Sequence, residues 1–236
     1  MNVDVAALTQ ELTAAAEGGR VASSGFLDDA DAARVLARLR AAGVAASAEG
    51  GRPAAERRVV TARPAHLPSA DTPLAAVYLA GAHDPGEVRA ALIAAGLRDD
   101  ELGDVARHED GLSVLILARA ADDLPGEVRP AGRSTPLSVV PAARLAGGSR
   151  RTLRLVVPSL RADVLGAKAF GASRSWFAKG VAAGKVRVDG EAAGKSATLE
   201  PGSELWAEGL GRMRLIARTG ETKRGNVKVE VEVEKP

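Results

Sequence analysis

Ser173, Arg174, Lys185 and Arg187 fall within fifteen residues of one another, in the stretch SRSWFAKGVAAGKVR. These side chains are suited to gripping phosphate. A guanidinium offers two parallel N–H donors, an ammonium offers a mobile positive charge, and the backbone N–H groups of a helix's first turn can face the same anion. Ser173 is placed to cap a helix in which Phe177 and Val181 share the buried side and Gly184 supplies the stop. Lys185, Val186, Arg187 and Val188 then alternate as a strand does, and Asp189-Gly190 is a hairpin turn. Trp176 and Phe177 are adjacent and large, so they cannot both face one core; Phe177 is expected inside and Trp176 at least partly outside.

The preceding helix would bury Leu160, Val164 and Leu165 and carry Arg161 and Lys168 near one face. With Lys179 and the later Arg212, Arg214, Lys223 and Arg224, the candidate RNA-binding residues are Arg161, Lys168, Arg174, Lys179, Lys185, Arg187, Arg212, Arg214, Lys223 and Arg224.

Other chemistry finds little support in the residues. There is no cysteine, hence no thiolate nucleophile, disulfide or thiolate zinc site. His66, His83 and His108 are scattered. No P-loop and no G-x-S-x-G elbow is present, and no glycine-rich loop follows a strand and opens a helix; Gly209-Leu210-Gly211 precedes a strand instead. The acidic runs around residues 98–104 and 108–111 read as a solvated helix end and a turn rather than as metal or acid/base sites. The expectation is a protein that is not an enzyme, with no metal and no cofactor.

The net charge of +2 conceals a division. Residues 1–149 hold 15 arginines, no lysine and 20 acids, a balance of −5; residues 150–236 hold 17 basic residues and 10 acids, a balance of +7. All seven lysines lie in the second part, as expected of a region that faces a polyanion. The first residues lack a basic segment of the secretory kind, and runs such as LAAVYLAGA are too short to span a bilayer, so a cytoplasmic protein is expected.

The elements that must position these residues form three units of an α+β protein, 1–68, 69–146 and 150–236. The first reads as two helices, around Val5–Ala15 and around Val35–Leu39 with Asp28 or Asp29 as cap, followed by a hairpin about Gly50-Gly51. After a proline-rich linker, the second reads as βαββαβ, a ferredoxin-like (RRM-like) plait whose second helix would lie in RAADDLPGEV. Its first strand carries only Tyr78 and its third no aromatic, so the usual stacking mode of an RNA-recognition sheet is missing. The third reads as a strand, two helices and a run of short strands.

The order of residues in the third unit resembles the S4-type αL RNA-binding domain, with its pattern S-L-R-L-D-x-x-L, then S-R-x-x-A-x-x-L-I-x-x-G-x-V-x-V-N-G. Ser159, Leu160, Arg161, Asp163, Ser173, Arg174, Gly184, Val186, Val188 and Gly190 match; Ala162 and Gly166 stand for Leu, Phe177 for Ala, Gly180 for Leu and Asp189 for Asn. The ending GRMRLIARTGETKRGNVKV, with FLDDADAARVL, EGGRPAAERRVV and LRDDELGDV earlier, resembles the YlmH family over nearly the whole chain. That resemblance implies a bacterial factor of ribosome-associated quality control, binding the large ribosomal subunit at 23S rRNA and peptidyl-tRNA. It would hold the P-site tRNA while a partner of the RqcH type supports alanine tailing, and would act as a monomer. The alternatives are an rRNA-binding assembly factor and, at greater distance, an RNA-modifying enzyme that carries an accessory S4-type domain.

Overall fold

A computed structural model describes residues 3–142 and 149–235. In the N-terminal unit, Asp4 caps α1 (Val5–Glu17) by accepting from the Ala6 and Ala7 N–H groups, and Asp28 caps α2 (Asp29–Ala41) by accepting from Asp31 N–H. Leu12, Val35 and Leu39 turn inward onto an antiparallel sheet of order β1-β3-β2, built from β1 (Ala22–Asp28), β2 (Ala45–Glu49) and β3 (Arg57–Arg63). The hairpin β2–β3 is as expected; β1 is an addition. Its sequence, ASSGFLD, is small and polar with a central glycine, and it becomes a strand by pairing with β3, Phe26 opposite Val59 and Leu27 opposite Arg58.

The middle unit comprises β4 (Leu74–Ala80), α3 (Pro85–Ala94), β5 (Leu102–Arg107), β6 (Gly111–Leu117), β7 (Glu127–Val128) and β8 (Thr135–Pro141), in an antiparallel sheet of order β5-β6-β4-β8-β7. Val88 and Leu92 of α3 pack on Val77, Leu79, Val114 and Ile116. The expected second helix is not an α-helix: a 3-10 turn at Ala118–Ala121 is followed by the short β7. Pro125 and Gly126 explain it, since proline pushes Leu124 out of the helical region and glycine weakens any turn beyond. The boundary expected after residue 146 lies outside the described residues.

The C-terminal unit has β9 (Ser149–Val157), α4 (Ala162–Phe170), α5 (Arg174–Ala182), β10 (Val186–Val188), β11 (Glu191–Ala192), β12 (Glu204–Ala207), β13 (Gly211–Glu221) and β14 (Val227–Lys235). The six strands run β11-β10-β12-β13-β14-β9, and β9 pairs with the far end of the chain from Val157 opposite Val227 to Ser149 opposite Lys235. Alternation in VKVEVEVEK sends Val229, Val231 and Val233 to one face, where Leu165 of α4 and Phe177 of α5 complete the core.

Glu232 and Glu234 of β14, opposite Arg214 and Arg212 of β13, lie on the opposite face, and the N-terminal unit packs against it. Arg58 of β3, 1% exposed, donates to both carboxylate oxygens of Glu204 at 3.0 and 2.9 Å, and its guanidinium also lies 3.0 Å from Asp29. Arg212 bonds to Glu234 at 2.9 Å, to Asp29 and to the Ala55 carbonyl. The middle unit is joined through Asp104, which accepts from Glu56 N–H, Arg57 N–H and Arg52, and through the apolar cluster of Phe26 and Val59 with Ala76, Leu115 and Leu117. Close approach at this joint requires glycine: a Cβ on Gly51, whose φ is +76°, would meet a Leu115 methyl at 2.5 Å.

Candidate nucleic-acid interface

Arg161 is the residue before α4 and Arg174 opens α5, eleven residues after Asp163. The chain turns between the helices at Gly171, in the left-handed conformation, so that both arginines reach one carboxylate. Arg161 Nε donates to Asp163 at 2.9 Å and Arg174 donates to the other Asp163 oxygen at 3.2 Å. A further guanidinium nitrogen of Arg161 donates to the Lys195 carbonyl at 3.0 Å. Partial burial opposes the charge of Asp163, but the hydrogen bonds from Arg161 and Arg174 outweigh it and hold the carboxyl below its ordinary range. The Arg161 and Arg174 side chains remain 45% and 64% exposed. Chemically this is a pair of outward-facing forks held at fixed spacing with unused N–H donors, the arrangement that suits adjacent phosphate oxygens.

Ser173 caps α5 as expected, accepting from Trp176 N–H at 3.1 Å. Phe177 is fully buried and Trp176 is 43% exposed, the orientation the adjacent pair implied. The two departures from the S4-type pattern at 166 and 177 compensate one another. The ring of Phe177 occupies the space that a side chain on Gly166 would need.

The other basic candidates separate. Lys168 and Lys179 are exposed in the last turns of α4 and α5, where they also complement the helix dipoles. Lys185 is exposed and pairs with Glu208 at 3.0 Å. Arg187 is half-buried, its guanidinium 5.4 Å from the centre of the Trp206 ring. Lys223 and Arg224 are exposed in the β13–β14 turn, at the end of the sheet where β9 leaves for α4.

Arg212 and Arg214 are corrections. Arg212 is 5% exposed and spends its donors on Glu234, Asp29 and Ala55; Arg214 is held by Glu204 at 2.6 Å. Their charges are neutralised inside the joint, so they are not presented to a polyanion. The Asp189-Gly190 turn, with φ of 50° and 83°, is likewise a docking point: Asp189 accepts from Arg40 at 2.9 Å, and Gly190 lies against the Ala30 carbonyl of α2. The acidic run expected as a solvated helix end is instead structural, with Asp104 buried and Asp99 paired to Arg57 and Arg89. Hydrogen bonds from Arg89, together with the nearby Arg57 charge, hold the Asp99 carboxyl below its usual range against partial desolvation. Asp163 matches the S4-type pattern, yet its organising role emerges only in the fold; the Arg161-x-Asp163 spacing was the available signal in the sequence.

Among the described residues, no cluster of His, Asp and Glu is arranged to hold a metal ion, and no helix is long and apolar enough to cross a membrane.

No family model and no curated protein matches this sequence. Among solved structures, the chain is similar to the cell division protein ylmH from Streptococcus pneumoniae, with a TM-score of 0.52 and 13% identity over 61% of this chain and 93% of the other. The chain has a YlmH-like fold. Several residues from the stretches that carried the resemblance in the sequence meet at the joint: Arg52 and Arg57 bond to Asp104 and Asp99, Arg58 to Glu204, and Arg212 to Ala55. Those contacts are architectural, while Arg161 before α4 and Arg174 at the start of α5 remain exposed.

Proposed function

We propose that this chain is a non-catalytic RNA-binding factor whose α4–α5 face grips the phosphate backbone of structured RNA. The observation that carries the proposal is the shared bonding of Arg161 and Arg174 to Asp163, which holds two exposed guanidiniums side by side at the starts of two helices. On this reading residues 150–236 are an S4-type module and the middle unit, with its strand order β5-β6-β4-β8, is a plait of the ferredoxin-like kind. The finer reading we propose rests on the resemblance in motif order alone: binding to 23S rRNA and peptidyl-tRNA on an obstructed large subunit, in quality control with a partner of the RqcH type.

Sedimentation of a cell lysate tests both levels. The chain should travel with large ribosomal subunits that carry tRNA, and Arg161→Gln/Arg174→Gln should move it to the top of the gradient. Migration with immature particles would replace quality control with an assembly role. Absence from every RNA-containing fraction would remove the RNA-binding reading.

A further inference from the structure

We infer that Trp176 is a stacking platform for an unpaired nucleotide of the bound RNA, set beside the arginines that take its phosphates; this rests on the RNA-binding reading of the α4–α5 face. Six aromatic residues occur in the whole chain, and three of them form a ladder from core to surface. Phe170 stacks on the fully buried Phe177 at 6.0 Å with an interplanar angle of 14°, and Phe177 meets Trp176 edge-on at 5.4 Å and 64°. The inner rings hold the outer one, so a partner that stacks on the indole has little side-chain motion to freeze.

Its surroundings choose the partner. Lys179, three residues on, shares its side of the helix, Arg174 opens the same turn, and α5 contains no acid. The remaining exposed positions of α5, Ser175, Ala178 and Ala182, are small, so the indole is a single flat apolar surface among cations and not part of a broad apolar face. A protein partner or a membrane would call for such a face. A base with its neighbouring phosphates needs only one ring and flanking positive charge. Bases in a duplex already stack on one another, so the matching ligand is a loop or bulge.

The test uses the full chain with two labelled RNAs, a hairpin with an unpaired loop and its stem alone as a blunt duplex. Trp176→Ala should weaken hairpin binding by about five-fold to a hundred-fold, leave duplex binding unchanged and leave the melting temperature in place. Trp176→Phe should restore most of the hairpin affinity. In a Trp206→Phe background, where Trp176 is the sole indole, the hairpin should quench emission and the duplex should not. Equal weakening on both RNAs, no weakening on either, or an indole that responds to anionic phospholipid vesicles in place of RNA would overturn the inference. RNA binding that ignores Trp176 sinks this inference alone, whereas failure to bind either RNA sinks the proposed function with it.

Discussion

Phe177 fills the place of a side chain that Gly166 does not have: a Cβ built on Gly166 would sit 2.5 Å from the aromatic ring. The S4-type pattern has leucine at the position of Gly166 and alanine at that of Phe177, so this chain carries the large residue on the second helix instead of the first. Volume is conserved across the α4–α5 contact while its distribution is reversed, so the helices can still approach and carry Arg161 and Arg174 to one carboxylate.

This exchange predicts a rescue. Phe177→Ala alone should cost about 3–5 kcal/mol by leaving a cavity, and Gly166→Leu alone should destabilise by overpacking. The double variant Gly166→Leu/Phe177→Ala should be more stable than either single change in urea denaturation. Additive losses would mean that the two positions do not share one space.

At the joint, removing one partner of Arg58 and Glu204 should be costly. Glu204→Gln leaves a buried guanidinium short of its counter-charge and should destabilise by about 3–5 kcal/mol. Replacing Arg58 and Glu204 together with Met and Leu should recover only the part of the loss due to Arg58, because Arg214 also loses its carboxylate; a double-mutant cycle in denaturant would show it.

The same carboxylate gives a pH dependence. Burial alone would raise the Glu204 carboxyl, but Arg58 and Arg214 overcome it and hold the group far below the usual range. A depressed folded-state value means that the stabilisation is fully present above the unfolded value of about 4.3 and fades as pH falls below it. Thermal melts from pH 6 to pH 3 should therefore show a steeper loss in the wild type than in Glu204→Gln. Parallel curves would remove Glu204 from the account.

Asp163 sets two physical effects against each other. Asp163→Asn makes the face more positive, which by charge alone would tighten RNA binding, but it also releases Arg161 and Arg174 from their fixed spacing. Preorganisation should win, with affinity falling about three-fold to ten-fold at moderate salt. A gain in affinity in filter binding would show that net charge matters more than geometry here.

Buried and exposed arginines should behave differently. Arg212→Ala should lower stability by about 3 kcal/mol, the cost of orphaning buried carboxylates, whereas Lys223→Ala/Arg224→Ala should leave the melting temperature unchanged. Arg161→Gln/Arg174→Gln should also fold normally, since exposed ion pairs contribute about 0–1 kcal/mol, and should flatten the salt dependence of RNA binding by about one unit of slope for each phosphate that is no longer gripped. Glutamine is preferable to glutamate here, because two new carboxylates beside Asp163 would repel it and confuse folding with binding.

Local signals in the sequence determined much of this protein. The cap Ser173, a cap at Asp28 or Asp29, the stop at Gly184, the Asp189-Gly190 turn and the buried Phe177 and Val181 of α5 were legible, because each depends on residues within one or two turns of chain. The separation of acidic and basic halves was legible for the same reason. Partnership across distance was not. Tertiary structure turned ASSGFLD into a strand and paired β9 with the chain's last strand. It also decided which arginines face solvent. Arg174 and Arg212 are the same residue type, each in a basic stretch, yet one is exposed and the other lies among carboxylates contributed from as far as 183 residues away. A guanidinium's availability to RNA depends on the counter-charges packed around it, and those are assembled only when the three units close on one another.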